Sequence, residues 1–426
     1  MTSLDQQAAD VLRDSRISAS GWKTFLAVMG PGLVVMLADT DVGSIITAAQ
    51  SGVQWGYRLL LLQLLLMPVL YIVQELTVRL GIFTGKGHGE LIRSTFGGGW
   101  AWVSVGGLGL ATLGALITEF SGVAGVGELF GVPRIVSLSI ATLFLLAIVL
   151  TGSYRRVERV ALALGLFELA FFVVAWRSHP QGAEVAAGLT HMPVTDRAYL
   201  YLVAANIGAV IMPWMIFYQQ SAIADKKLRP CHYRHAQWDT AFGSVIAQAV
   251  MAAVLIAAAA TIGKLHADAG ASLNSISDIT KMLVPALGPS VGRVVFGFGT
   301  IGAGMVAAIV VSLASAWGFG EVTGYRHSLE HHPLDAPWFY GIYAVAVVGG
   351  AAVVDLVPDL VSLNIGVEVM NALMLPLVLG FLVLLAFKAM PPEHRLRGPY
   401  AWLVVAVSVL TAGLGVYGGI SGAHLL

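Results

Sequence analysis

Continuous apolar segments recur along most of this chain of 426 residues. A helix needs roughly 20 apolar residues to cross the hydrocarbon core of a bilayer. Segments near this length lie at 25–50, 57–83, 99–126, 132–151, 157–176, 198–223, 237–263, 291–318, 338–356, 361–388 and 399–420. Helices are required because lipid offers no hydrogen-bond partner to an open strand. The sequence therefore predicts an all-α integral membrane protein with about eleven transmembrane helices.

The composition excludes several classes of protein. Only 11% of the residues are charged, 57% are hydrophobic, and the mean hydropathy is +0.80. A soluble domain carries about 25% charged residues, since its whole surface faces water. The formal net charge of zero predicts no nucleic-acid partner. The single cysteine, Cys231, excludes an internal disulfide and a cysteine-rich metal site.

The two ends of the chain suggest three regions and an orientation. Residues 1–24 are polar, lack the apolar core of a signal peptide, and are expected to form a cytosolic tail. A transport core would occupy 25–390, and the last helix with the C-terminus 391–426. Basic residues favour an N-terminus inside and a C-terminus outside the cytoplasmic membrane. They fall in alternate loops: Arg155, Arg156, Lys226, Lys227, Arg229, Arg234, Arg395 and Arg397.

Two of the predicted helices contain residues that interrupt a helix. The first carries Gly30-Pro31-Gly32 and then the polar run 39–44, and the sixth carries Pro213 near its middle. A proline inside a helix lacks the backbone donor and clashes with the preceding turn. Interruptions in helices one and six predict inverted repeats of five helices, 25–176 and 198–388, plus an eleventh helix. The halves share no clear residue similarity, so the spacing alone supports this division, which is typical of secondary transporters.

Acidic residues occur at the first interruption. A carboxylate at membrane depth costs on the order of 3 kcal/mol, and both Asp39 and Asp41 carry this cost. A bound cation would offset it; alternatively, each aspartate caps a half-helix. No Lys or Arg lies in the central part of a span, which favours the cation. Met212, directly before Pro213, offers a soft thioether and would favour transition ions such as Mn²⁺, Fe²⁺ or Cd²⁺.

Several motifs resemble the NRAMP family of divalent metal transporters. The runs 30–44, 52–57 and 80–86 are similar to family motifs, and Met212-Pro213 resembles the family's Met-Pro-His segment. The similarity extends from helix one to about helix ten. It implies a LeuT-like fold in which the metal is held between the broken helices one and six.

The resemblance also implies site residues. Asp41 matches the family's aspartate and Ser44 its asparagine. Ala209 matches the residue that offers a backbone carbonyl, and Met212 matches the thioether ligand. Glu119 in helix three matches an acidic residue linked to proton movement. Asp39 would line the path of the ion or contact it, and Trp214 is expected to act in the pathway or in coupling.

Other positions depart from the family's pattern. The histidine after Met-Pro is Trp214 here, a second histidine is Gln219, and an aspartate before Glu119 is Leu116. Helix ten has Met374 where the family often has glutamine, with Asn371 one turn away as a candidate ligand. All eleven histidines fall in loops, tails or helix ends. Intramembrane titratable groups then reduce to Asp39, Asp41, Glu75, Glu119, Glu168, Asp239, Glu321 and Glu368, and Glu75 is expected to pair with Arg79.

These observations predict a secondary transporter that carries Mn²⁺-type ions, Mg²⁺ or both, with weak or no proton coupling. The metal is substrate, no cofactor is expected, and the partners are the cation and the lipid bilayer. A sodium-coupled amino-acid carrier on the same fold is the main alternative, although Asp39 and Asp41 would repel a substrate carboxylate. A passive channel is a further alternative. An intramembrane enzyme is not favoured, because the sequence offers no catalytic pair of residues within the membrane. The sequence does not predict the oligomeric state.

Overall fold

The computed structural model describes residues 30–263, 288–354 and 360–422. The predicted tail, 1–24, lies outside the described residues. The regular structure within these ranges is helical. The α-helices are α1 Pro31–Asp39, α2 Val42–Trp55, α3 Leu60–Thr84, α4 His88–Phe96, α5 Gly98–Leu129, α6 Arg134–Val149, α7 Tyr154–Gly165, α8 Ala170–Arg177, α9 Gly182–Thr190, α10 Arg197–Val210, α11 Pro213–Asp225, α12 Tyr233–Ala258, α13 Pro289–Thr323, α14 Pro337–Val354, α15 Leu360–Lys388 and α16 Gly398–Gly422.

The prediction of an all-α membrane protein is confirmed. Nine helical segments in the described ranges are long and apolar enough to cross a membrane. The helix α6 is apolar but shorter, with 16 residues, and α1 has nine. The total of eleven spans and the inverted repeat stay predictions. Two short helices, α4 and α9, lie in connections that the sequence analysis left without structure.

Both predicted interruptions are present. The first separates α1 from α2 at Thr40 and Asp41, and the second separates α10 from α11 at Ile211 and Met212. Pro213 is the first residue of α11, where its missing N–H would have no helical partner anyway. Its ring therefore starts a new helix rather than bending an existing one, and Met212 before it is extended.

The interrupted helices lie inside the bundle. The long helices α5 and α13 pack against each other through the centre, and α10 packs between α15 and α16. Among the candidate spans of the described residues, the most buried is Arg197–Asp225, which contains the second interruption. Of its most apolar stretch, 89% lies inside the protein. Both interruptions therefore lie away from lipid, where irregular backbone is tolerated.

The loops with the clustered basic residues meet at one end of the bundle. Lys226 Nζ lies 2.8 Å from Glu158 Oε1, which ties the loop after α11 to α7. The rings of Phe83 and His394 stack with centroids 3.8 Å apart, which joins the end of α3 to the loop before α16. Alternate loops therefore share one face, as the orientation argument requires; that this face is cytoplasmic remains a prediction.

Candidate functional site

Asp41 lies at the first interruption, and one of its two carboxylate oxygens accepts a hydrogen bond. Its Oδ1 accepts a hydrogen bond from the N–H of Ser44 at 2.7 Å and so caps α2. Asp41 therefore does cap a half-helix, whereas Asp39 does not, and the cap uses only one of the two carboxylate oxygens of Asp41. Oδ2 is buried and has no hydrogen-bond partner among the described residues. An oxygen in this state favours a cation, since a buried unpaired acceptor is costly.

Glu119 joins Asp41 from helix α5. Its Oε2 accepts a hydrogen bond from the N–H of Val42 at 3.2 Å, and its carboxyl group also contacts that of Asp41. The two carboxyl groups therefore lie in contact at the start of α2. The role in proton movement that the family resemblance implied for Glu119 stays a prediction.

Glu368 of α15 is the site residue that the sequence analysis did not select. A methyl group at Gly43 would lie 2.2 Å from its Oε1, and one at Gly208 would lie 1.8 Å from its backbone oxygen. A glycine at each interruption thus makes room for Glu368, whose side chain is fully buried. The signal in the sequence was these glycines together with an acidic residue in an apolar helix, but only the packing of α15 shows that they meet.

Asn371 lies one turn further along α15 and is oriented by Glu368. Its Nδ2 donates to Glu368 Oε2 at 3.0 Å. The amide oxygen Oδ1 is buried and without a partner in the described part of the chain. Met374, by contrast, packs its methyl group against Gly107 of α5. The candidate ligand from helix ten is therefore the Glu368–Asn371 pair rather than Met374.

The second interruption supplies Ala209 and Met212. The hydroxyl of Ser44 donates to the backbone oxygen of Ala209 at 3.0 Å, so the two interruptions are directly joined. That carbonyl keeps a second lone pair. Met212 is fully buried in the main apolar cluster, as is Trp214, whose indole N–H has no partner within the described residues.

Asp39 and Thr40 continue the polar region on the α1 side. Asp39 Oδ2 accepts a hydrogen bond from Gln248 Nε2 at 3.3 Å. Thr40 contacts the carboxyl group of Glu168, which lies in the turn between α7 and α8. Neither Asp39 nor Glu168 is exposed by more than 1%. The structure thus brings five buried carboxyl groups around the first interruption: Asp39, Asp41, Glu119, Glu168 and Glu368.

These carboxyl groups have no counter-charge among the described residues. None of the five forms an ion pair with a described Lys, Arg or His side chain. No group of three or more His, Cys, Asp and Glu side chains among the described residues has the arrangement of a metal centre. A metal here would therefore need backbone, amide or thioether ligands besides carboxylates, which suits a site that binds and releases its ion.

The positions of the family's histidines hold neutral residues. Gln219 donates to Thr240 Oγ1 at 2.9 Å and contacts Thr77 through its oxygen, so its amide is satisfied by hydroxyls. His88 is the first residue of α4, as expected for a loop or helix end, yet it is buried and its ring contacts Gln220 at 2.9 Å. Burial lowers the pKa of His88 to about 4, so this imidazole is neutral near pH 7.

The predicted ion pair between Glu75 and Arg79 is present, at 2.9 Å. Glu75 also accepts hydrogen bonds from Gln237 and Tyr400, which attach α12 and α16 to α3. This cluster holds the bundle together and lies apart from the interruptions.

The N-terminal end of α1, which lies near the basic loops, is held closed by side chains of α12 and α7. Asp239 Oδ2 accepts hydrogen bonds from the N–H groups of Gly30 at 3.2 Å and Gly32 at 2.9 Å. Glu158, paired with Lys226, packs directly against Gly30. Asp41 itself is 0% exposed. The site is therefore sealed from solvent in this conformation.

Comparison with known proteins identifies relatives. Residues 32–421 match the profile of a family described as natural resistance-associated macrophage protein-like, or NRAMP. The chain is 30% identical over 311 residues to the divalent metal cation transporter MntH of Ralstonia nicotianae, covering 69% of this chain and 68% of the relative. It is 31% identical over 300 residues to MntH of Yersinia pestis, covering 68% and 72%.

Solved structures show the same fold. The manganese transporter of Eremococcus coleocola superposes with a TM-score of 0.74 at 22% identity, covering 95% of this chain and 89% of that one. The structure of MhsT in complex with L-phenylalanine superposes with a TM-score of 0.62 at 14% identity, covering 95% and 99%. At these identities the likeness concerns the fold.

Proposed function

Because this chain belongs to the NRAMP family of metal transporters, we propose that it carries divalent cations across the cytoplasmic membrane, Mn²⁺-type ions first and Mg²⁺ second. The observation that carries the proposal is the set of buried acceptors between the two interruptions. Asp41 Oδ2 and Asn371 Oδ1 have no donor among the described residues. A cation would satisfy both at once and would offset the charge of Asp41.

The ligand set would combine hard and soft donors. Asp41, Asn371, Ser44 and the backbone oxygen of Ala209 supply oxygen, which suits Mn²⁺ and Mg²⁺ alike. Met212 supplies sulfur, which adds affinity for Mn²⁺, Fe²⁺ or Cd²⁺ and little for Mg²⁺. Glu368 orients Asn371 and adds negative charge nearby. We infer that the oxygen ligands bind both classes of ion and that Met212 makes the affinity for Mn²⁺-type ions higher than that for Mg²⁺.

Proton coupling is proposed to be weak. A cation bound at Asp41 would compete with a proton for that carboxylate. A route for that proton through the membrane would need further titratable groups in sequence along the path. Gln219 and Leu116 take positions where the family has His and Asp, and Gln219 is engaged by the neutral hydroxyls of Thr77 and Thr240. At these two positions, both within the described residues, a proton finds no titratable group.

Alternating access is favoured over a passive channel. A channel needs a continuous polar path, whereas Asp41 is fully buried and α1 is fastened over one side of it by Asp239. Release of the ion requires these contacts to open, which is a conformational step. The short half-helix α1 is the element that the contacts hold in place.

A sodium-coupled amino-acid carrier remains the second candidate, supported by the fold shared with MhsT. Such a carrier would bind a substrate carboxylate at the free N–H groups of a half-helix. Here the N-terminus of α2 already holds the carboxylate of Asp41, and Glu119 accepts the N–H of Val42. A substrate carboxylate would meet two acidic groups, so the metal is preferred.

Uptake into proteoliposomes tests the proposal. Mn²⁺, Mg²⁺ and Ca²⁺ are compared while internal pH is recorded. We expect Mn²⁺ and Mg²⁺ to enter competitively, with little acidification. Entry of Mn²⁺ with strong acidification and no response to Mg²⁺ would contradict the broad, weakly coupled site. Entry of no metal at all would favour the amino-acid carrier.

A matched pair of variants separates metal binding from helix capping. Asp41→Ala should abolish uptake of every divalent ion. Asp196 also caps a helix, α10, accepting from the N–H groups of Ala198 at 2.8 Å and Tyr199 at 3.2 Å, but is exposed. Asp196→Ala therefore removes a cap and should leave uptake close to that of the wild type. Equal losses in the two variants would mean that Asp41 acts only as a cap.

A further inference from the structure

A second group of buried acceptors lies on the α1 side of the interruption. Asp39 is the last residue of α1, and Gln248 of α12 donates its Nε2 to Asp39 Oδ2. That bond fixes the amide orientation, since the other orientation would place two oxygens together. It leaves Gln248 Oε1 and Asp39 Oδ1 buried, with no donor in the described ranges.

Glu168 adds a third unsatisfied oxygen to this group. Its Oε2 contacts the hydroxyl of Thr40, the residue that follows Asp39. The Thr40 hydroxyl has a single proton and also lies 2.8 Å from the backbone oxygen of Leu37. Glu168 Oε1 is buried without a partner among the described residues. Thr40 therefore serves two acceptors with one donor, and the described residues around it offer these oxygens no further donor.

The C-terminal end of α1 adds further negative charge to this region. The C-terminus of a helix carries partial negative charge and carbonyl groups without helical partners. Here it ends on Asp39, itself a carboxylate, and no described basic side chain forms an ion pair with Asp39 or Glu168. Half-helix ends of this kind coordinate small cations in membrane transporters.

We propose that Asp39, Glu168 and Gln248 form a second cation site, distinct from the divalent site at Asp41, that binds an alkali-metal ion such as Na⁺. The donors are all oxygen, which suits a hard cation. Asp39 and Asp41 are separated by one residue, so two divalent ions would repel each other twice as strongly as a divalent and a monovalent ion. A monovalent ion is thus the occupant compatible with a loaded metal site.

With this site, sodium could drive transport in a chain that lacks the histidines of a proton route. Five buried carboxyl groups surround the interruption, and one divalent ion offsets only two negative charges. A sodium ion at Asp39 and Glu168 offsets a third and cross-links α1 to α12 and the turn after α7. Because α1 must move for the site to open, sodium would stabilise the closed conformation.

Sodium binding is tested on the purified full-length protein without divalent ions. The midpoint of thermal unfolding is measured as NaCl replaces N-methyl-D-glucamine chloride at constant ionic strength. We expect a saturable rise of roughly 3 °C, and binding of radioactive sodium at one ion per chain. A similar rise with K⁺ also supports the proposal. No rise with either ion, or a rise with Mg²⁺ alone, would overturn it.

Variants locate the site. Glu168→Gln and Gln248→Leu should each lose the sodium-dependent rise, whereas Gln237→Leu should keep it, since Gln237 lies on the same helix but contacts Glu75. Asp41→Ala should lose metal uptake and keep the sodium effect, which separates this proposal from the divalent site. A rise that persists in both Glu168→Gln and Gln248→Leu would place sodium elsewhere and refute the assignment.

Discussion

Substitution of Asp239 by asparagine should release α1. The carboxylate accepts two backbone hydrogen bonds from the start of α1, from Gly30 and Gly32. A hydrogen bond to a charged group contributes about 1 kcal/mol more than one to a neutral group, and the helix dipole adds a few tenths or more. Asp239→Asn therefore weakens the closed conformation by about 2–3 kcal/mol. That difference corresponds to a shift of about 30- to 150-fold in the closed-to-open equilibrium.

Cysteine labelling measures this shift. Cys231 is the chain's only cysteine and is exposed, so Cys231→Ser gives a background without thiols. Ala38 of α1 is 0% exposed, and Ala38→Cys reports opening through its rate of reaction with a membrane-impermeant thiol reagent. We expect Asp239→Asn to raise that rate about 30- to 150-fold.

The matched control is Asp196→Asn. Asp196 also accepts backbone N–H groups at the start of a helix, those of Ala198 and Tyr199, but on α10 and at an exposed position. This variant should leave the labelling rate of the thiol introduced by Ala38→Cys unchanged. If Asp239→Asn labels at the wild-type rate, the contacts of Asp239 do not govern access, and the closed state must be held by other packing.

Three further predictions concern single positions. Met212→Ala should weaken uptake of Cd²⁺ and Mn²⁺ more than uptake of Mg²⁺; equal losses for all ions would remove the case for a selective thioether. Gly208→Ala should lower the unfolding free energy by about 1–3 kcal/mol, because the new methyl group meets the backbone oxygen of Glu368. The control Gly413→Ala should not lower it, because the space around Gly413 is open. Because the pKa of His88 is about 4 when folded and about 6.5 when unfolded, stability should fall as pH drops between these values. The loss from pH 6.5 to 5 is about 2 kcal/mol, and a thermal melt of His88→Asn should lack this slope.

The sequence anticipated features that depend on local chemistry. Pro213 cannot continue a helix, and the second half-helix begins at that residue. Polar residues around Asp41 predicted the first interruption, and the structure has it at Thr40 and Asp41. Such features are set by neighbouring residues along the chain. The proposed ligands Asp41 and Met212 were named on the same basis, and their role stays a prediction.

The contribution of α15 was missed for a different reason. The sequence analysis noted Glu368 only as one of several acidic residues in apolar segments. Its proximity to Gly43 and Gly208 depends on how three helices far apart in the chain pack together. The rotation of a helix about its axis decides which face meets the interruptions, and a segment that is apolar all round carries no periodic signal for that rotation. Met374, which stands where the family often has glutamine, lies against Gly107.

Three features follow from the amino-acid sequence without the fold: the protein spans a membrane, two of its helices are interrupted, and carboxylates lie at one interruption. Hydrophobic length, proline and buried charge act locally, and each has few structural solutions in lipid. Which polar atoms find partners depends on how the helices pack. The oxygens of Asp41, Asn371, Asp39, Glu168 and Gln248 lack hydrogen-bond donors among the described residues, because the neighbouring helices place none there. A hydrogen bond depends on distances of a few tenths of an ångström between segments hundreds of residues apart, and these distances are fixed by packing.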